Sequence, residues 1–221
     1  MITIGFALLL SRGSRRARPL PPCLTISPHP QYANKDAGRW LSARGQARAR
    51  KVELKDPKQC AAAIVRGLKQ AGIDFVATLP DEKMLEVIRA VEQDRVLKHV
   101  PLCREEEGIG ICAGAYLAGK KTALIMQNAG FLNSCNALTT TSLQFQIPTL
   151  LVIYYAGDIG DRGFTTLGAV TEPVLQALGI RSYVLRRSDE IDATFCGAQV
   201  LAEDSKKPVA VLLTKSVLGV S

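Results

Sequence analysis

The sequence predicts an α/β fold, a doubly wound and mainly parallel sheet of six strands with helices on both faces. Six short β-rich runs alternate strictly with helical stretches from residue 56 onward. The runs are almost continuously apolar, which is typical of parallel strands that are buried on both faces of a sheet. Together these observations predict one domain without an internal repeat.

Each predicted element follows from local sequence signals. The first helix is expected to begin at Asp56-Pro57, an N-cap residue followed by proline at the first helical position, and to end at Gly72. The predicted strands are 73–78, 96–100, 122–126, 149–154, 181–185 and 209–213. The remaining predicted helices are 82–93, 104–118, 133–143, 171–178 and 189–203.

The charge of the chain divides it into two parts. The net charge is +8, but residues 1–55 contain eleven Lys and Arg and two acidic residues, so that the rest of the chain carries −1. We therefore predict a disordered basic leader at 1–51, either a targeting segment or a gene start placed upstream of a natural beginning near Val52. Residues 52–221 would form the domain, with neither the basic face of a nucleic-acid binder nor a membrane-spanning run.

The six cysteines form neither a Cys-x-x-Cys pair nor a zinc-binding spacing, and several lie within apolar runs. Buried free thiols of this type favour a reducing compartment, and we expect a cytoplasmic protein.

The stretch 104–119 is the most informative part of the domain. Three glutamates are followed by twelve uncharged residues, so a helix here would be apolar on every face and is expected to be buried. Gly108, Gly110 and Gly114 each cost a helix roughly 1 kcal/mol relative to alanine, which suggests that another group approaches closely. The glutamates would lie at the helix N-terminus, where the helix dipole favours negative charge.

Two other interpretations of this stretch exist. The glutamates could form an ordinary solvated helix start. The segment from Gly108 to Ala113 also matches the Gly-x-Gly-x-x-Ala dinucleotide fingerprint. However, three glutamates would stand where a pyrophosphate must bind, and no acidic residue near position 128 is available for a ribose.

The combination of several motifs resembles a known family. Glu106 and Tyr116 are ten residues apart and precede Gly119-Lys120, while Gln127-Asn128-Ala129-Gly130 and 133–138 (Asn-Ser-Cys-Asn-Ala-Leu) follow. From about Val52 to the C-terminus, the chain resembles the alpha subunits of sulfopyruvate decarboxylases, which depend on thiamine diphosphate. The phosphonopyruvate decarboxylases are the next most similar group.

The resemblance implies a role for each of seven residues. Glu106 would be catalytic and would hydrogen-bond the aminopyrimidine ring of the cofactor, with a pKa raised by burial and by its acidic neighbours. The other expected cofactor-binding residues are Pro80, Asn128 and Gly130. The expected substrate-binding residues are Asp81, Asn133 and Asn136, although the last two could instead cap the next helix.

The position of these residues agrees with the predicted sheet. Ligands bind beyond the carboxyl ends of the strands in open parallel sheets. That edge would bring together the segments 79–82, 104–107, 127–133 and 155–163, which are rich in polar residues and glycine.

Part of the family pattern is absent from this sequence. Gly157-Asp158 begins a motif similar to the Gly-Asp-Gly that binds diphosphate and magnesium, but no asparagine follows Asn136 to complete it. The resemblance therefore implies a pyrimidine-side domain without metal ligands, whose partner, a diphosphate-binding beta subunit, holds the Mg²⁺. Leu132 replaces a glycine usual in the family, and Ala156 replaces an arginine of related decarboxylases.

The resemblance thus implies the alpha subunit of a two-chain decarboxylase that acts on a small 2-oxo acid. The alternative is a catalytically silent regulatory or scaffolding subunit that keeps the thiamine-diphosphate fold.

Overall fold

A computed structural model describes residues 54–220, and the predicted leader at 1–51 lies outside the described residues. Residues 54–220 form a six-stranded parallel sheet with the strand order β2-β1-β3-β4-β6-β5. The predicted fold class is therefore confirmed. No helix within this range is long and apolar enough to cross a membrane.

The six strands lie within two residues of the predicted positions. They are β1 (Phe75–Thr78), β2 (Lys98–Pro101), β3 (Thr122–Gln127), β4 (Leu150–Tyr154), β5 (Arg181–Leu185) and β6 (Val209–Leu213). The residues of β4 and β6 are all buried, in agreement with their apolar sequences. These strands are central because nothing on either face of them requires water.

The helices alternate with the strands, and the first helix lies before β1 and the last after β6. They are α1 (Pro57–Gln70), α2 (Leu85–Gln93), α3 (Glu105–Leu117), α4 (Asn128–Asn133), α5 (Cys135–Ala137), α6 (Thr165–Ala177), α7 (Ile191–Ser205) and α8 (Lys215–Leu218). A π-helical turn (Leu138–Leu143) follows α5, and a 3₁₀ turn (Ser188–Glu190) precedes α7.

The start of α1 follows the sequence signals. Asp56 accepts a hydrogen bond from the backbone N–H of Gln59 at 3.1 Å, and Pro57 occupies the first helical position. Gly72 adopts a φ of 80° after the last turn, a conformation that glycine reaches without steric cost.

The sheet separates two hydrophobic cores. On one face, side chains of α1, α2 and α7 pack around Ile64, Val87 and Phe195. On the other face, α3, α4 and α6 contribute Ile109, Phe131 and Leu175. Since the second layer contains the stretch 104–119, the whole candidate site is built on this face and at its edge.

Two helix starts differ from the prediction by five residues or more. The helical segment predicted at 133–143 already begins at Asn128, directly after β3, because Gln127 is extended (φ −80°, ψ 160°) and the chain turns without a loop. Helix α6 begins at Thr165 instead of 171. The first turn of α6 is rich in residues of low helix propensity, and it packs tightly against the loop after β4. A Cβ atom on Gly168 would lie 2.2 Å from the carbonyl oxygen of Gly157, so only glycine allows this contact.

Candidate functional site

The carboxyl ends of the strands bring the predicted loops to one edge of the sheet. Thr78 at the end of β1 lies beside Pro101 of β2 and Ile125 of β3, while Gln127 lies beside Tyr154 of β4. The segments that follow these strands contain all seven predicted site residues. The parallel register therefore places these segments on the edge where ligands bind in such sheets.

Glu106 lies in the first turn of α3 and has two side-chain partners. Its Oε1 atom is 2.5 Å from Nη2 of Arg104, and its Oε2 atom accepts a hydrogen bond from Nδ2 of Asn133 at 3.4 Å. The Glu106 side chain retains 29% of its accessible surface. The structure therefore brings together two of the predicted site residues, Glu106 and Asn133, and leaves the carboxyl group reachable.

The pKa of Glu106 differs from the expectation. The hydrogen bond from its own backbone N–H, followed by the hydrogen bond and positive charge of Arg104, lowers the pKa although partial desolvation raises it. The prediction of a raised pKa was wrong, because it counted burial and the neighbouring glutamates but neither the hydrogen bond from the backbone N–H nor the arginine. Glu106 is an ionised carboxylate in the free chain at neutral pH.

Gly130 permits close packing beside this carboxylate. A Cβ atom at this position would lie 2.3 Å from Cγ of Glu105. Any side chain here would displace the side chain of Glu105. Gly130 is buried, so its place in the site is to let α4 approach α3.

Asn128 is completely buried at the end of β3. Its Nδ2 atom donates hydrogen bonds to the carbonyl oxygen of Ala156 at 2.8 Å and to Oγ1 of Thr171 at 2.9 Å. Its Oδ1 atom has no hydrogen-bond partner among residues 54–220. Asn128 thus connects β3 to the end of β4 and to α6, and its predicted contact with a cofactor stays a prediction.

Asn133 and Asn136 are both exposed, and neither caps a helix. Asn133 is the last residue of α4, and Asn136 lies inside α5, so the capping alternative is wrong. Asn136 lies one helical turn away from Asn133 in sequence, and its substrate role stays a prediction.

The loop after β1 carries Pro80 and Asp81. Pro80 is exposed, and Asp81 is half-buried. Oδ1 of Asp81 accepts hydrogen bonds from the backbone N–H groups of Lys83 at 2.9 Å and Met84 at 3.1 Å. This carboxylate fixes the turn before α2, and its predicted contact with substrate stays a prediction.

The two aspartates after β4 are engaged in ion pairs. Asp158 accepts two hydrogen bonds from the guanidinium of Arg186, at 2.5 and 2.9 Å. Asp161 lies 3.2 Å from Nζ of Lys215 and accepts a hydrogen bond from the backbone N–H of Gly157. Both carboxylates are largely buried. Asp158 ties the loop to the residue that follows β5, and Asp161 ties it to the first residue of α8, shortly after β6.

The sequence predicted that helix α3 would be buried on every face, but one face of it is exposed. Gly108, Ile109, Cys112 and Ala113 are buried against the sheet, whereas the opposite face is open and Leu117 is 76% exposed. The prediction was wrong because one layer of helices covers this sheet, so only one side of α3 meets the core. We call the exposed residues Gly110, Ile111, Gly114 and Leu117 the outer face of α3.

Comparison with known proteins supports the resemblance. Residues 58–163 match the thiamine pyrophosphate enzyme, N-terminal TPP binding domain. The chain is 38% identical over 152 residues to sulfopyruvate decarboxylase subunit alpha of Methanocaldococcus jannaschii, which covers 68% of this chain and 90% of that protein. The same subunit of Methanococcus maripaludis is 35% identical over 153 residues, covering 68% and 92%. This chain belongs to the sulfopyruvate decarboxylase alpha-subunit family.

The solved structures agree with this family at the level of the fold. The 2-oxoglutarate:ferredoxin oxidoreductase from Magnetococcus marinus superposes with a TM-score of 0.59 and 18% identity. The match covers 72% of this chain and 29% of that longer protein. At this identity the likeness concerns the fold alone.

The family implies thiamine diphosphate, and the donor groups of this chain fit one end of that molecule. The half-exposed carboxylate of Glu106 and the amide of Asn133 offer the hydrogen-bonding groups that a pyrimidine ring needs. The other end requires ligands for a metal and a diphosphate. Asp158 and Asp161 are already paired with cations, and residues 54–220 contain no cluster of three or more His, Cys, Asp and Glu that could hold a metal ion.

Arg104 is the site residue of this family member to which the sequence interpretation gave no role. It is the N-cap residue of α3 and has an extended backbone, with a φ of −147°. Its guanidinium contacts the carboxylate of Glu106, two residues later in the chain. The available signal was an arginine two residues before a candidate carboxylate at a predicted helix start.

Proposed function

We propose that this chain is the alpha subunit of a two-chain, thiamine-diphosphate-dependent decarboxylase of a sulfopyruvate-like 2-oxo acid, with an aldehyde and CO₂ as products. The observation that carries the proposal is Glu106, a reachable carboxylate on the carboxyl edge of the sheet, held between Arg104 and Asn133. The relatives that match over at least 90% of their own length are named as sulfopyruvate decarboxylase alpha subunits, and they supply the reaction class.

The residues of this chain would act on a proton at the pyrimidine end of the cofactor. When bound, thiamine diphosphate supplies the electron sink that allows a 2-oxo acid to lose CO₂. Glu106 binds the ring and moves a proton at its carboxyl group, a contribution worth roughly 10²- to 10⁴-fold. Asn133 holds Oε2 of Glu106, while Gly130 leaves room for the first turn of α3.

The outer face of α3 supports the proposal of a partner chain. This apolar surface contains Gly110 and Gly114, and a Cβ atom added to either one would have no other atom within 4 Å. Because glycine has no side chain, another backbone can approach closely there. This face adjoins the glutamates, so a chain that covers it would also close the site. In the proposal, this diphosphate-binding beta subunit holds the Mg²⁺.

The cysteines support a cytoplasmic location for the assembled enzyme. Five free cysteines lie in the described part of the chain, and the thiol of Cys112 is buried, with a pKa raised to about 12. Proteins with unpaired cysteines are typical of reducing compartments.

The second candidate function is a silent subunit, and one observation favours it. The hydrogen bond from its own backbone N–H and the contact with Arg104 both lower the pKa of Glu106, and an ionised carboxylate cannot donate a proton. One experiment distinguishes the two candidates. Replacement of the Glu106 carboxyl group should reduce the turnover of the assembled complex if this chain is catalytic, and should leave it unchanged if this chain is silent.

Reconstitution tests the proposed function. The purified chain is mixed with a partner chain that carries the Gly-Asp-Gly and asparagine motif, together with thiamine diphosphate and Mg²⁺, and CO₂ release from sulfopyruvate is measured. We expect activity from the mixture only. Calorimetry on the isolated chain should show little or no cofactor binding, and tight Mg²⁺-dependent binding there would contradict the two-chain arrangement.

A pair of surface variants tests the proposed interface. Leu117→Glu should weaken association with the partner by at least about 30-fold, since burial of an unpaired charge costs roughly 2 kcal/mol or more. Val200→Glu is the control, because Val200 is also largely exposed but lies on α7, beneath the opposite face of the sheet. Equal association of both variants would show that the partner does not cover α3.

A further inference from the structure

The distribution of positive charge at the carboxyl edge points to a residue for substrate recognition. Arg186 and Lys215 hold Asp158 and Asp161, whose side chains keep only 12% and 6% of their accessible surface. Removal of either cation would leave a largely buried carboxylate without its ion pair, which is a costly arrangement. These two cations therefore stabilise the loop after β4.

Arg104 is in a different situation. Its side chain is 64% exposed, and its acidic partner is Glu106, the group that the proposed function assigns to the cofactor. Its Nη2 atom is in contact with that carboxylate, while a guanidinium offers five N–H donors in all. Any ligand that engages Glu106 thus releases a positive charge immediately beside it.

From this arrangement, and resting on the proposed function, we infer that Arg104 binds the second acidic group of the substrate, and that Glu106 occupies its guanidinium until cofactor and substrate arrive. A planar guanidinium binds a carboxylate or a sulfonate through two parallel hydrogen bonds. In the free chain, the Glu106 carboxylate occupies the position that the acidic group of the substrate would take. The segment after β4 supplies no competing cation at Ala156, which is completely buried.

The inference is tested on the assembled two-chain enzyme with two substrates. Sulfopyruvate carries a second acidic group, and 2-oxobutyrate is a 2-oxo acid without one. Arg104→Gln should raise the KM for sulfopyruvate by roughly 10- to 100-fold, the range expected for loss of a charged hydrogen bond. The kinetic constants for 2-oxobutyrate should change much less, and Arg104→Lys should restore part of the sulfopyruvate affinity.

The matched control is Arg162→Gln. Arg162 is exposed on the loop after β4, and no ion pair holds its guanidinium within the described part of the chain. This variant should leave both KM values unchanged. A rise of the sulfopyruvate KM in Arg162→Gln with none in Arg104→Gln would overturn the inference and assign the anion to Arg162.

A purely local role of Arg104 has a distinct signature. If Arg104 acted only by setting the protonation of Glu106, Arg104→Gln would impair both substrates equally and would shift the acid limb of both pH profiles, which would also overturn the inference. Binding of sulfoacetate, an unreactive sulfonate, measured by calorimetry on the complex, gives a readout without turnover and should weaken in Arg104→Gln. An inactive wild-type complex would instead contradict the proposed function itself.

Discussion

Among single residues, the three consecutive glutamates of α3 have three different environments. Glu106 is bound to Arg104 and Asn133, Glu105 packs over Gly130, and Glu107 is exposed. In the assembled enzyme, we expect Glu106→Gln to keep the fold and to reduce decarboxylation by about 10²-fold or more, since an amide cannot move the proton. Steady-state rates and thermal melting curves measure the two parts of this prediction.

The neighbouring glutamates provide the controls for that experiment. Glu105→Gln and Glu107→Gln should each reduce the rate much less than Glu106→Gln. Equal losses at all three positions would show that the alignment from Tyr116 to Glu106 is incorrect.

The residue scale also shows where sequence reasoning reached its limit. The motif spacing identified Glu106, and the structure places its carboxyl group at the predicted edge. The pKa could not be obtained in this way, because the backbone conformation of Arg104 decides whether its guanidinium meets the carboxylate. Likewise, Asn128 and Asn133 belong to two adjacent motifs and lie in the same short helix, but one side chain is buried and the other is exposed.

At the scale of elements, the strands were predictable and the helix starts were less so. Apolar runs such as 209–213 define strands directly, because parallel strands in the centre of a sheet have no polar face. The start of α6 depends on contact between Gly157 and Gly168, residues that are distant enough in sequence for no local pattern to reveal their packing. The exposed face of α3 could not be predicted either, because the helix is apolar on all sides and its sequence does not indicate which side packs against the sheet.

The glycines of α3 give a prediction for this element. A Cβ atom on Gly108 would lie 2.6 Å from Leu102 and Leu124, whereas Gly110 has nothing within 4 Å. Gly110→Ala should stabilise the isolated chain by about 0.5–1 kcal/mol through helix propensity. Gly108→Ala should destabilise it by about 1–3 kcal/mol through overpacking.

Urea unfolding of the two alanine variants measures these opposite signs. The midpoints should move in opposite directions from that of the wild-type chain. A shift of both variants in the same direction would mean that α3 does not pack with Gly108 towards the sheet.

For the whole molecule, charge and fold are separated along the chain. Residues 1–55 carry +9, and the remaining part carries −1. We predict that deletion of residues 1–51 leaves the melting temperature and the activity of the complex unchanged, because these residues carry the positive charge but no sequence pattern of a hydrophobic core. A large loss of either quantity in the shortened chain would contradict the division at Val52.

The order of strands has a consequence for synthesis of the chain. β6 is inserted between β4 and β5, and β6 is the only strand to which β5 is hydrogen-bonded in residues 54–220. Translation at roughly 5–20 residues per second leaves β5 without a neighbour for about 1–5 s after it is made, until β6 follows. The sheet is therefore completed last, when β6 enters between β4 and β5. A chain interrupted between residues 186 and 208 would contain all of β5 but not the strand to which β5 is hydrogen-bonded.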